Sequence, residues 1–342
     1  MYRKIMDFLE EWKNEEHRKP LILQGARQVG KTYAILEFGR THYENVAYFN
    51  FETNPKLNET FEENISPDYL IPILSHIAGQ TIVTEKTLIV FDEIQLCERA
   101  LTSLKYFYEE RPDYHIIVAG SLLGVAVNRA RFSFPVGKVD MKTLYPMDLE
   151  EFMIAMGEKS LVDQIKKCFE TNEPMPSALH DAAMQLYRQY LVVGGMPECV
   201  MQFAETRDYI LIRHTQDTIL ASYLNDMSKY NNLNEIKKTR LAYDNITVQL
   251  SKKNTRFQYK LIKKGGRASE FENAIEWLCL SGIVSQVYKV EQIRKPLENY
   301  RDIDAFKIYV SDLGLLCAKK DIVANDVLYM VEELNDFKGG MV

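Results

Sequence analysis

The octapeptide Gly25-Ala-Arg-Gln-Val-Gly-Lys-Thr constrains this chain more than any other stretch, because it fits the pattern G-x-x-x-x-G-K-[ST] in full. The apolar run Leu21-Ile-Leu-Gln precedes it, and a helical pattern follows. In that strand-loop-helix context the glycines let backbone N–H groups turn inward around a β-phosphate, and the helix N-terminus adds its positive end. Lys31 is spaced to reach β- and γ-phosphates, and Thr32 to offer its hydroxyl to magnesium. Gly25, Ala26, Arg27, Gln28, Val29, Gly30, Lys31, Thr32 and Tyr33 are therefore the expected binding set for a nucleoside triphosphate.

Further short apolar runs alternate with helical stretches, the pattern of a parallel sheet covered by helices and hence of an α/β fold. Strands are expected at Leu21–Gln24, Val46–Phe51, Thr87–Phe91, His115–Ala119 and Val139–Leu144. The run Thr87-Leu-Ile-Val-Phe-Asp-Glu delivers two acids to the carboxyl edge of such a sheet, the edge on which ligands bind. Asp92 is expected to hold magnesium beside Thr32. Glu93 is expected to accept the proton of the attacking water. The strand His115-Ile-Ile-Val-Ala ends at Gly120-Ser121, where Ser121 reads either as a polar sensor of the γ-phosphate or as a helix N-cap. Gln95 is a second candidate for orienting the water. The cation that would stabilise the developing γ-phosphate charge is left open among Arg27, Arg99, Arg111, Arg129, Arg131 and a neighbouring subunit.

With 342 residues the chain is long enough for two or three domains. Beyond Pro146 the pattern turns helical from Leu149 to about Asn231, broken at Glu173-Pro-Met-Pro and Gly194-Gly-Met-Pro. Later helices, including Ser269–Ser281, lead into two alternating runs at 283–290 and 305–310, which suggests a winged helix-turn-helix. The expected organisation is a P-loop core over 1–147, a helical lid over 148–232, a winged-helix-like domain over 233–320 and a terminal segment over 321–342. The net charge of -6 gives no global attraction to nucleic acid or to an anionic membrane, and no apolar run is long enough to span a bilayer. The five scattered cysteines lack zinc-ligand spacing, which fits a reducing cytoplasm. One local exception stands out: residues 252–267 hold seven basic residues, two aromatics and no acid. They read either as a DNA contact, through Lys252, Lys253, Arg256, Lys263 and Lys264, or as the solvated face of a structural domain.

The combination of the P-loop with Phe91-Asp-Glu-Ile-Gln, Ala119-Gly-Ser-Leu-Leu, Leu144-Tyr-Pro-Met-Asp-Leu-Glu-Glu-Phe, Gly194-Gly-Met-Pro-Glu and Lys307-Ile-Tyr-Val-Ser-Asp-Leu-Gly-Leu-Leu resembles bacterial and archaeal AAA-type ATPases carrying a C-terminal domain of unknown function. The resemblance spans nearly the whole chain. It implies a P-loop NTPase sheet of order 5-1-4-3-2, ATP rather than GTP, and the same roles for Lys31, Thr32, Asp92, Glu93 and Ser121. Such relatives often have Gly-Arg before the fifth strand, where this sequence has Gly137-Lys138, a point charge without the planar fork. They typically continue past a segment like Gly339-Gly-Met-Val into a restriction-endonuclease-like region, so a truncated or naturally short relative is expected. The expected activity is ATP hydrolysis driving motion of the helical and winged regions, with DNA and a homo-oligomer as candidate partners. The alternative is a nucleotide-held switch or DNA-binding module with negligible turnover.

Overall fold

The computed structural model describes residues 1–121, 134–229, 233–250 and 256–329. Residues Tyr2–Tyr145 make one compact unit, and the described residues from Pro146 onward make another.

In the first unit the chain runs α1 (Ile5–Lys13), β1 (Leu21–Gln24), α2 (Lys31–His42), β2 (Asn45–Asn50), α3 (Lys56–Glu63), α4 (Pro67–Ala78), β3 (Thr87–Asp92), α5 (Glu98–Glu110), β4 (His115–Gly120) and β5 (Asp140–Thr143). The five strands form one sheet of order β2-β3-β4-β1-β5, with every neighbouring pair parallel. Read from the other edge, this is the 5-1-4-3-2 order expected. β3 and β4 are buried along their whole length, which is why they read as unbroken apolar runs. One face of the sheet carries an aromatic cluster in which Phe91 meets Phe49, Phe51 and Phe61 at ring separations of 5.6–5.9 Å. Register brings Asn50 opposite Asp92, Gln24 opposite Gly120, and Gln24 opposite Thr143. The ends of all five strands therefore lie along one edge of the sheet.

The buried Arg3, just ahead of α1, donates to the Val29 carbonyl at 3.0 Å and to the Tyr145 carbonyl at 2.7 Å. One guanidinium thus ties the P-loop to the segment leaving β5. At Gly25 an added Cβ would lie 2.1 Å from the Leu144 carbonyl oxygen, so the loop packs directly on that same segment.

The second unit comprises α6 (Leu149–Ala155), α7 (Lys159–Thr171), α8 (Ser177–Val193), α9 (Pro197–Thr206), α10 (Tyr209–Lys229), α11 (Leu233–Leu250), α12 (Ala268–Leu280), β6 (Val284–Val290), β7 (Arg301–Val310), α13 (Leu313–Lys319) and α14 (Ala324–Leu328). A capping box starts α6: the Asp148 carboxylate accepts from the Glu151 N–H at 2.9 Å, and the Glu151 carboxylate accepts from the Asp148 N–H at 3.1 Å. β6 and β7 pair antiparallel. β7 begins four residues before the apolar alternation at Ala305. Arg301 and Asp302 pair with Val290 and Lys289, and the register shift at Tyr288/Lys289 leaves Ile303-Asp304-Ala305 in a bulge, where a two-stranded ribbon tolerates charged side chains.

Two motifs far apart in sequence meet inside this unit. Asp312 caps α13 by accepting from the Leu315 N–H at 2.8 Å, and it also accepts from the Gly195 N–H at 2.6 Å. Burial pushes its carboxyl up to about 6. Gly194 adopts a positive φ of 74° and ends α8, while a Cβ on Gly195 would lie 1.9 Å from the Met147 carbonyl oxygen. Gly195→Ala is accordingly expected to cost about 1–3 kcal/mol of stability through overpacking. Denaturant unfolding of the variant checks this, and an unchanged midpoint would refute it.

Candidate functional site

The P-loop occupies the turn between β1 and α2. Gly25, Gln28 and Gly30 all have positive φ (148°, 66° and 89°), which bends the backbone into a cradle of inward-facing N–H groups. Gly30 is the N-cap of α2, so the helix dipole points at the same space. Lys31 is buried and folds over its own loop, donating to the Gly25 carbonyl at 3.0 Å and the Ala26 carbonyl at 2.8 Å. Burial lowers its pKa to about 8, against the opposing pull of Glu93 and Asp92. Ala26 and Val29 are buried, Arg27 is half-buried and Tyr33 is exposed.

Thr32 and Asp92 come together as expected: the Thr32 hydroxyl donates to Asp92 Oδ2 at 2.8 Å. The Tyr48 hydroxyl on β2 donates to the same oxygen at 2.7 Å and accepts from Asn50 Nδ2 at 3.2 Å. Burial pushes the Tyr48 phenol up to about 12, so it remains a donor across the physiological range. Tyr48 was not anticipated from sequence, where it looked like one more aromatic in a strand. A hydroxyl beside a carboxylate is a hard-oxygen pair suited to magnesium, which is commonly held by one or two protein ligands together with substrate phosphates.

Glu93 follows Asp92 in the left-handed region, at φ 53° and ψ 39°, an uncommon conformation for a non-glycine residue and one often found at functional sites. Its N–H donates to Asp92 Oδ1 at 3.0 Å. The turn Ile94–Leu96 then brings Gln95 back, and its Nε2 donates to the Glu93 carboxylate. The Gln95 Oε1 atom is buried without a hydrogen-bond partner. Burial, with the Asp92 charge adding to it, raises the Glu93 pKa above the ordinary carboxylate range, although the Gln95 hydrogen bond opposes the shift. Ser121 is buried directly after Gly120, the residue paired with Gln24, so it lies beside the start of the P-loop. The N-cap reading of Ser121 turns on residues 122–133, which lie outside the described residues together with Arg129 and Arg131.

The remaining cation candidates are placed away from this cluster. Arg99 donates to the Phe61 carbonyl at 2.8 Å, and Arg111 pairs with Asp68 and Asp113. Lys138 pairs with Glu109 at 3.0 Å and lies over the Tyr108 ring.

The fold agrees with comparison to known proteins. Residues 17–153 match the family described as the AAA domain, and residues 184–326 match a domain of unknown function (DUF8612). The chain belongs to the AAA-type P-loop ATPase family with that C-terminal domain. Among solved structures, the Walker-type ATPase paby2304 of Pyrococcus abyssi aligns over 93% of this chain and 95% of its own, at 14% identity and a TM-score of 0.56. The Aeropyrum pernix ORC2 protein aligns over 96% and 94% at 12% identity and a TM-score of 0.45. The Thermotoga maritima RuvB Holliday junction branch migration motor aligns over 86% and 88% at 14% identity and a TM-score of 0.33. The first of these likenesses speaks to the fold. No curated protein matches the chain. Among the described residues of this AAA-type chain, no helix is long and apolar enough to cross a membrane.

A small perturbation probes the Asp92 environment. Tyr48→Phe is expected to raise the magnesium concentration needed for half-maximal nucleotide binding by about 3–10-fold, the weight of one hydrogen bond to a charged group. Titrating magnesium against a fluorescent ATP analogue measures it, and an unshifted curve would leave Tyr48 without a role at the site.

Proposed function

We propose that this protein binds ATP with magnesium and hydrolyses it. The observation that carries this reading is the convergence of Lys31, Thr32, Asp92 and Glu93 at one sheet edge, with Glu93 held apart from Asp92 by its own backbone turn. Lys31 would exchange its two loop carbonyls for phosphate oxygens, and the P-loop N–H groups would surround the β-phosphate. Thr32 and Asp92 would hold magnesium, whose charge would offset that of the β- and γ-oxygens. Glu93 takes the proton from the attacking water, because burial raises its affinity for a proton and Asp92 is committed to the metal. Gln95 orients the Glu93 carboxylate. Ser121 is read as the sensor that contacts the γ-phosphate. The stabilising cation would come from Arg27, which lies in the loop itself and whose charge is felt at Lys31, or from a neighbouring subunit in a homo-oligomer.

Hydrolysis would drive motion of residues 148–232 as a lid and of 233–320 as a winged-helix-like domain. The Lys138-Glu109 pair argues against a finger role at that position. DNA contact through 252–267 is the less supported part. Lys252 and Lys253 fall outside the described residues, Lys263 pairs with Glu270, and α12 exposes Glu272 and Glu276 where phosphates would lie. Purified protein is expected to release phosphate from ATP, and excess EDTA should abolish the release. Turnover that persists in the chelator would overturn the magnesium assignment, and no turnover with intact ATP binding would favour the switch reading.

A further inference from the structure

α12 and the β6-β7 ribbon enclose an open cleft of about 620 Å³ that the nucleotide chemistry does not use. Its floor is aromatic. Phe306 is buried and meets Tyr259 and Tyr288 at ring separations of 6.1 and 5.7 Å. Three carboxylates line it, Glu272 and Glu276 from α12 and Asp304 from β7, all on exposed residues. Against them stands one cation, Arg301, whose guanidinium lies 4.1 Å from the centre of the Tyr288 ring.

We propose that this cleft is a docking surface for a protein segment carrying arginine side chains. A guanidinium gains from a ring face and from a nearby carboxylate together, and Arg301 on Tyr288 is an instance of that pairing already present in the fold. The exposed carboxylates of Glu272 and Asp304 at the cleft wall favour cations over phosphates. The ribbon beside the cleft also presents apolar side chains to solvent: Ile303 is 65% exposed, Val287 53% and Ile293 92%. Ile303 is the one of these that lines the cleft, where it matches an apolar residue of a polypeptide. The inference is independent of ATP turnover, because every residue in it belongs to the second unit.

The test uses the full chain and a fluorescein-labelled Gly-Arg-Leu-Arg-Leu-Arg-Gly peptide, read by anisotropy, with the counterpart bearing Glu at each Arg position as the negative probe. The Arg peptide should bind and the Glu peptide should not. The triple variant Glu272→Gln, Glu276→Gln, Asp304→Asn should weaken binding about tenfold, the sum of three partly exposed charge contacts. A charge-matched control, Glu10→Gln, Glu11→Gln, Glu16→Gln, should leave it unchanged, with circular dichroism confirming that both triples are folded. No binding by the parent, equal losses in both triples, or no loss in the cleft triple would each overturn the proposal. So would a short DNA duplex that displaces the peptide from the parent, since that would place nucleic acid in the cleft.

Discussion

Glu93→Gln should keep ATP on the protein and stop its turnover. Glutamine retains the size of the side chain and can still pair with Gln95, so the left-handed turn and the Asp92 contact survive. What is lost, on the proposed reading, is the carboxylate that takes the proton while Asp92 stays with magnesium. A positioned general base contributes about 10²–10⁴-fold, and kcat should fall by that factor while Kd for ATP moves little. Single-turnover kinetics separate the two quantities. A variant that still hydrolyses ATP at the parental rate would transfer the base role to another group, with Gln95 and Ser121 too weakly basic to inherit it.

The second large effect concerns Lys31. Lys31→Met removes the cation that, on the proposed reading, exchanges two loop carbonyls for phosphate oxygens, and an uncompensated buried phosphate contact should cost about 3 kcal/mol or more, over a hundredfold in Kd. The parent carries a pH signature that the variant lacks. In the free protein Lys31 is charged below about 8 and neutral above it, because burial disfavours the charge. Phosphate favours the charged form and raises the pKa on binding, so binding takes up a proton in that window. ATP affinity should therefore be level below pH 8 and decline as pH rises through it. Calorimetry in buffers of different ionisation enthalpy reads the proton directly. A parent whose affinity is flat from pH 7 to 10 would mean that Lys31 is not the titrating contact.

The central strands β1, β3 and β4 were legible because parallel strands buried on both faces are written as continuous apolar runs, and each of the five expected strands lies within a residue or two of its observed bounds. The P-loop and Asp92 were legible for a different reason, since phosphate and magnesium chemistry restricts both residue type and spacing. Tyr48 was not, because its contact with Asp92 depends on which strand pairs with β3 and in what register. Gln95 could be placed only loosely, since its contact arises from the tight turn after a positive-φ residue. Gly194 and Gly195 read as a helix break. Their contacts with Asp312 and Met147, more than a hundred residues apart from one another in the chain, account for glycine at both positions, and no local pattern encodes such a meeting.

Arg3 carries a practical corollary. A side chain three residues into the sequence supports the carbonyl of Val29, one residue before the second P-loop glycine, and the carbonyl of Tyr145 where β5 is left behind. Anything that tugs on the first few residues, whether an affinity tag, a surface tether or a trimmed leader, pulls on the nucleotide loop as well. An assay built on an N-terminally immobilised chain would then report the strain of its own attachment, whereas a handle placed elsewhere would leave the phosphate cradle at rest.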